Sequence, residues 1–237
     1  SNEGLDLSGA WMHRNLFGGA ERLRLEAALR NIGGSEDIDG RFGARLDRPD
    51  RLGPDDSIFY LFALERQDRT HYEVTNGRLG IGVRRVFSDK LYGELSLAGL
   101  FADADDAFGT NRKFRYATLP LTLEWDRRDS KVDARKGFYL GADAMPFLGL
   151  GGTASGGRLS LDGRAYRSFG PAGRITLAGR MQLGSVVGAA QNDVSPDLLF
   201  FSGGAGTVRG QPYESLGLSA PPSTRLAGGR AFIGASV

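Results

Sequence analysis

Residues 21–30 read Glu-Arg-Leu-Arg-Leu-Glu-Ala-Ala-Leu-Arg, and their spacing decides the fold class. Leu23, Leu25, Ala27 and Leu29 fall on one face of an extended chain, with Arg22, Arg24, Glu26 and Arg30 on the other. A helix would scatter these leucines around its circumference, whereas a strand separates them cleanly at a period of two. The alternation returns downstream. Leu91, Gly93, Leu95, Leu97, Gly99 and Phe101 oppose Tyr92, Glu94, Ser96 and Ala98. Leu119, Leu121, Leu123 and Trp125 oppose Thr118, Pro120, Thr122, Glu124 and Asp126, and Ile175, Leu177, Gly179, Met181 and Leu183 oppose Thr176, Ala178, Arg180 and Gln182. With turn-forming residues between such runs, the pattern predicts strands near 4–14, 20–31, 39–47, 57–67, 71–87, 91–104, 114–126, 137–147, 155–167, 174–187 and 225–237. That is an antiparallel meander of about eleven strands, with longer polar connections at 102–113 and 187–224.

Composition agrees with an all-β chain. Glycine fills 36 of 237 positions, where average usage of roughly 7% would give about 17. So much glycine argues against a helical protein, and its lack of a three-residue period excludes collagen. With 41% apolar residues the chain can bury a core. The absence of cysteine removes disulfides, thiolate zinc sites and thiol catalysis together. Only His13 and His71 are present, too few for a histidine-rich metal centre. Thirty basic residues against 28 acidic ones leave a net charge of +2, too balanced for a nucleic-acid binder.

No positively charged, apolar targeting segment opens the sequence. The longest uncharged stretch, 144–157, is glycine-rich and contains Pro146, so no helical span is expected. A membrane β-barrel remains open, because its strands need only ~9–11 residues and hide their apolar signal in alternation. A soluble sandwich would turn the leucine faces inward, whereas a membrane barrel turns them to lipid and its arginines to a wet lumen. Strands of ten or more residues exceed the ~5–6 usual in small soluble sheets. Aromatic residues near strand ends, among them Trp11, Phe17, Tyr60, Phe87, Tyr92, Trp125, Phe138 and Phe169, suit interfacial girdles. Lysine appears only at Lys90, Lys113, Lys131 and Lys136, and arginine carries the remaining positive charge. Guanidinium groups can hold carboxylates in bidentate geometry and stiffen such a lumen, although a genome-wide bias in base composition gives the same excess.

The stretch from Leu198 to Gly217 is apolar, then glycine-rich, and then carries one arginine among turn-formers. It resembles the sixth extracellular loop of the BamA/TamA superfamily of outer-membrane assembly barrels, also called the bacterial surface antigen family, whose signature is Val-Arg-Gly followed by an aromatic. Gly203, Gly204, Val208, Arg209 and Gly210 carry the resemblance; Gln211 departs from it, with Tyr213 as a substitute two residues on. Residues 15–23, Asn-Leu-Phe-Gly-Gly-Ala-Glu-Arg-Leu, are similar to the family's first tight hairpin. Trp125-Asp-Arg-Arg-Asp-Ser, followed by Lys136-Gly-Phe-Tyr-Leu140, is similar to its Asp-x-Arg-Asp turn.

The resemblance implies an antiparallel transmembrane β-barrel in the bacterial outer membrane, sixteen-stranded in the family, with the signature loop after the eleventh strand. About ten strands precede that loop here, so residues 1–237 are expected to be a partial barrel domain with the loop at about 188–224. The upstream POTRA domains, the first barrel strand and roughly the last four are expected outside this chain. The resemblance also implies assembly or insertion of other outer-membrane proteins without covalent chemistry, through a weak seam between the first and last strands and local membrane thinning. Its implied partners are outer-membrane lipids, client outer-membrane or autotransporter proteins, POTRA domains and periplasmic factors. The loop arginine is implied to contact lumen carboxylates; Glu124, Asp126, Asp143 and Asp162 are the candidates that strand alternation supplies for Arg209.

Enzymatic readings find little support. Residues 203–210 resemble a phosphate loop only in glycine content and lack a Gly-Lys-Ser/Thr ending. His13 and His71 have no Gly-x-Ser-x-Gly nucleophile context and read as lumen or rim residues. Asp103, Asp105 and Asp106 lack the rest of a calcium cage. No catalytic residue, cofactor or metal is expected. The alternatives that stay open are a two-partner secretion transporter, which shares the loop signature, and a passive porin, which shares only the alternation.

Overall fold

The computed structural model describes residues 4–34, 38–49, 52–171, 174–204, 206–208 and 211–237. The chain forms β1 (Leu5–Arg14), β2 (Arg22–Ile32), β3 (Asp39–Pro49), β4 (Asp56–Arg69), β5 (Tyr72–Ser88), β6 (Leu91–Asp106) and β7 (Gly109–Thr118). It continues through β8 (Leu121–Asp126), β9 (Lys136–Gly149), β10 (Gly156–Phe169), β11 (Ile175–Val187), β12 (Leu218–Ser219), β13 (Leu226–Ala227) and β14 (Ala231–Ser236). One large antiparallel sheet runs β1-β2-β3-β4-β5-β6-β7-β9-β10-β11-β14, with β8 between β6 and β9; β12 and β13 pair separately. Among the described residues no pairing joins β1 to β14. No helix among them is long and apolar enough to cross a membrane, a fact that bears on helical spans only.

Three expected segments differ. The strand expected at 114–126 is two, because Pro120 has no N–H to give to a ladder. β7 pairs with β6 from Ala98 and β8 pairs with it at 91–95, so the two pieces occupy one place in the sheet. The expected polar connection at 102–113 is instead the tip of a long hairpin in which Asp103 opposes Lys113 and Asp106 opposes Gly109. There the Asp106 carboxylate accepts the Phe108 N–H at 2.8 Å and the Asp105 carboxylate accepts that of Asn111 at 2.6 Å, so both serve the turn. Finally, the expected strand 225–237 divides: β13 stays with the loop and only β14 joins β11.

The two faces of the sheet meet different surroundings. On β6 Leu95, Leu97 and Phe101 are exposed, with Leu97 at 60%, while Ser96, Ala98, Leu100 and Ala102 between them are buried. Leu79 and Ile81 on β5, Leu121 and Leu123 on β8, and Leu159 and Leu161 on β10 continue that exposed apolar surface. The charges sit on the inner face. Arg45 donates to both Glu94 oxygens at 2.9 and 3.1 Å and to Asp47 at 3.0 Å, and lies 4.0 Å over the Phe59 ring. Arg84 reaches the same Glu94 at 3.2 Å and covers the Tyr92 ring at 4.1 Å. Leucines outward and arginines inward is the orientation of a membrane barrel, since a soluble sheet would hide the leucines.

The inner face is not uniformly wet. Toward the end from which β11 leaves the sheet, Tyr72, Val74, Leu100, Ala102, Phe114, Tyr116, Phe147 and Val186 form an apolar cluster with Val194, Leu198 and Leu199. The latter three come from the segment after β11, which folds back over the sheet. A charge at mid-height on the outer face tests the orientation. Leu97→Arg is expected to lower folding stability in phospholipid bilayers by about 2–4 kcal/mol, read by denaturant titration; an unchanged midpoint would contradict a lipid-facing Leu97.

Candidate functional site

Residues 188–230 leave β11, cross the inner face and return to β14. Two short 3-10 turns, Gln191–Asp193 and Pro196–Leu198, start the crossing. Val194 and Ser195 are fully buried between them. Polar wall groups satisfy the buried backbone. Tyr116 Oη accepts the Ser195 N–H at 3.1 Å, Arg158 Nε donates to the Leu198 carbonyl at 3.0 Å, and Arg112 donates to the Asn192 carbonyl. Asp197 is half-buried against β5, where Asn76 Nδ2 donates to it at 3.2 Å and Ser195 Oγ donates to its other oxygen. Burial pushes the Asp197 carboxyl above its ordinary 3.8, outweighing the Ser195 bond, which acts in the other direction.

Phe200 and Gly229 exchange backbone hydrogen bonds at 2.9 and 2.7 Å, closing the base of the loop. The Phe200 ring packs on Gly184 of β11, where any Cβ would overlap ring carbons, and lies 4.5 Å beneath Arg158. Phe201 stacks on His71 at 6.3 Å between centroids and meets Tyr72 at a tilt at 5.2 Å. Beyond it the chain turns back. Gly203 has φ +117°, a conformation that disfavours a side chain, and it exchanges hydrogen bonds with Thr207 Oγ1 at 2.8 and 2.9 Å. The Gly204 N–H donates to the Gln211 carbonyl at 2.9 Å, and the Val208 side chain is exposed.

Arg209 and Gly210, the centre of the signature, lie outside the described residues. Residues 206–208 and 211–217, on either side of them in sequence, are described. Arg180 Nη1 donates to the Gly206 carbonyl at 3.3 Å, and the same guanidinium grips both Asp162 oxygens at 2.9 and 3.0 Å. Arg164 adds a bond to Asp162 at 2.6 Å. Of the four candidate carboxylates, Asp162 is therefore the one tied to the loop tip through a shared arginine. The other three are engaged with the wall: Glu124 accepts from Tyr92 Oη at 2.8 Å, Asp143 from Thr122 Oγ1 at 2.8 Å, and Asp126 is held by Arg128 at 2.8 and 2.9 Å.

The far side of the loop docks on the β4–β5 hairpin. Glu214 accepts from Tyr72 Oη at 3.2 Å and pairs with Arg69 at 3.3 Å, and Arg69 also holds Asp39 and lies 5.7 Å from the Tyr213 ring. His71 Nε2 donates to the Ser215 carbonyl at 3.1 Å while Nδ1 accepts the Leu226 N–H at 3.3 Å, which fixes the neutral tautomer. His71 is thus a rim residue that holds the loop; His13 lies on β1 beside Trp11. Below the loop a cavity of about 550 Å³ is lined by Arg30, Arg41, Arg78 and Arg158 with Glu65, Asp143 and Asp197. Sequence reading missed Asp197 and Arg69, and it read His71 as a lumen or rim residue without its contacts to the loop. The available signal was an acid set inside the apolar run from Val194 to Phe201, and a β6 that turns apolar on both faces from Leu97 to Ala102.

Fold, loop path and charge placement define an outer-membrane barrel with an inward-folded loop. A family model for the Omp85 superfamily domain matches residues 15–237, so the chain belongs to the Omp85 superfamily, whose barrels reside in the bacterial outer membrane. Comparison with curated proteins gives no sequence match. Among solved structures the chain is similar to the crystal structure of BamA from Haemophilus ducreyi lacking POTRA domains 1–3, with a TM-score of 0.82 at 15% identity. The match covers 99% of this chain and 50% of that one, so the chain spans about half the length of that relative.

The buried carboxyl gives a pH test. Asp197 holds its proton to higher pH in the folded state than in the unfolded chain, so its contribution is fully present below the ordinary value of 3.8 and is lost as pH rises through the raised one. Asp197→Asn keeps the shape and cannot ionise. Its stability relative to the unsubstituted protein is expected to increase from pH 4 to pH 8 in urea titrations; parallel curves would remove the buried acid from the account.

Proposed function

We propose that this protein inserts or translocates other outer-membrane proteins, or autotransporter clients, without covalent chemistry. The inward-folded loop at 188–224 acts as the fixed element of the lumen, and Arg209 is its central charge. The observation that carries the reading is the docking of the loop tip: Arg180 bridges the Gly206 carbonyl to Asp162, three residues before Arg209. A guanidinium inside a lumen needs carboxylate or carbonyl partners to offset lost hydration, and Asp162 lies on the wall that the tip approaches.

Membership of the Omp85 superfamily supports assembly or transport as the class of activity. POTRA domains and periplasmic partners belong to the same reading, as do lipids around the outer face. Tyr213 takes the part of the aromatic that Gln211 replaces, with its ring held near Arg69.

Arg209→Ala in the full-length protein, expressed in a strain deleted for it, is expected to reduce client assembly at least several-fold while the barrel still resists extraction and heat in the manner of a folded one. Undiminished assembly would remove the role given to Arg209. Stepwise ion conductance in planar bilayers, with clients assembled normally in the deletion strain, would replace the assembly reading with that of a passive porin.

A further inference from the structure

On the outer face, at the end of the sheet opposite the loop, three cations collect around an aromatic rim. Trp125 and Phe138 meet edge to face at 4.9 Å between centroids, with Leu123 and Leu140 above them on the apolar surface. Arg127 lies two residues after Trp125, and its N–H donates to the Phe138 carbonyl at 2.8 Å. Lys136 begins β9 and stands directly opposite Arg167 of β10. Arg167 in turn lies 5.4 Å from the Phe169 ring. Arg127, Lys136 and Arg167 are all exposed and alternate in phase with exposed Trp125 and Phe169, so all three project from the outer face.

Like charges directly opposed across an antiparallel pair destabilise it unless something neutralises them. On the inner face the need is met. Arg164 stands opposite Arg180, and both are bonded to Asp162. Arg24 stands opposite Arg45, and they pair with Glu26 and with Asp47 and Glu94 respectively. Even on the outer face Arg85, beside Phe87, has Asp56 at 3.7 Å. Arg127, Lys136 and Arg167 have no carboxylate partner among the described residues. Asp129, the acid of the adjoining turn, already accepts the N–H groups of Arg135, Lys136 and Ser130 through one oxygen at 3.0–3.1 Å, which hold its carboxyl below the usual range.

We propose that Arg127, Lys136 and Arg167 form a binding site for the phosphate of an anionic phospholipid headgroup, with the acyl chains lying along Trp125, Phe138 and Leu140. Charge complementarity selects the headgroup, because the cations lack counter-charges and sit at the edge of an apolar surface. Aromatic rings at the same height favour the boundary between hydrocarbon and water. With the loop at the extracellular side, which is the orientation the proposed function adopts, the site belongs to the periplasmic leaflet, where the anionic lipids are glycerophospholipids.

The site can be read by quenching of Trp125 in a background where Trp11, the other tryptophan of residues 1–237, and any tryptophan elsewhere in the full-length protein are replaced by Phe. The protein is reconstituted in vesicles containing brominated phosphatidylglycerol or brominated phosphatidylcholine. Preferential quenching by the anionic lipid is expected, with its relative affinity falling about fivefold for each cation removed in Lys136→Gln and Arg167→Gln. Quenching by the neutral lipid is expected to stay unchanged in both variants, which shows that they remain folded and inserted. Equal quenching by the two lipids in the parent, or a preference that survives both substitutions, would overturn the site. Quenching by neither would overturn the lipid-facing orientation itself. None of these readings depends on client assembly, so failure of the assembly role and failure of this site are separately visible.

Discussion

The structure rests on one constraint: in hydrocarbon there is no water to satisfy an N–H or a carbonyl, so each must find a partner inside the sheet. Between β1 and β14 the ladder meets that demand for the strands it pairs, and there side chains alone distinguish the two faces. Leucine and phenylalanine occupy the outer face at every second residue, and the charges that a solvated interior can accommodate gather on the inner one. Arg45, Arg84 and Glu94 show the result, since one carboxylate serves two guanidiniums that also cover the rings of Phe59 and Tyr92. Such pairs fix the relative positions of four strands, β3 to β6, and so stiffen the wall as well as wetting it.

The loop works because the interior is built in two zones. At one end the wall is ionic; at the other it is apolar and carries Tyr116, Asn76 and Arg158 as isolated donors and acceptors. Val194, Leu198 and Leu199 fill the apolar zone, while those polar groups meet the Ser195 N–H, Asp197 and the Leu198 carbonyl. An unmet buried polar group would cost about 1–3 kcal/mol, so the wall specifies this segment in one position. From that anchorage the tip at Gly206 reaches Arg180 and Asp162, and the opposite limb reaches Arg69 and His71.

Turn chemistry sets the register at the other end. Glu21, only 1% exposed, accepts the N–H groups of Phe17 and Gly19 and faces Arg48, which closes the β1–β2 hairpin around Asn15. In the β8–β9 turn Asp126 binds Arg128, and Asp129 gathers three backbone donors. These are the two hairpins whose sequences resemble the superfamily, and Glu21, Asp126 and Asp129 each accept backbone N–H groups in them. A slip of one residue at either turn would carry every leucine of the adjoining strand to the ionic side.

Alternation at a period of two is a local property, so residues 21–30, 91–101 and 175–183 by themselves determined strand type and which side chains share a face. The glycine-rich stretch around Val208 likewise marked the loop. Pro120 and the tip at Asp105 and Asp106 were misjudged, because whether a polar residue ends a strand depends on the partner strand beside it. What only the tertiary structure decided is the loop's seat: Asp197 meets Asn76 and Glu214 meets Tyr72 across more than a hundred residues of chain. No periodicity within either segment encodes that meeting. It follows from the curvature of the whole sheet, which brings the inner faces of β5 and β10 to the same loop.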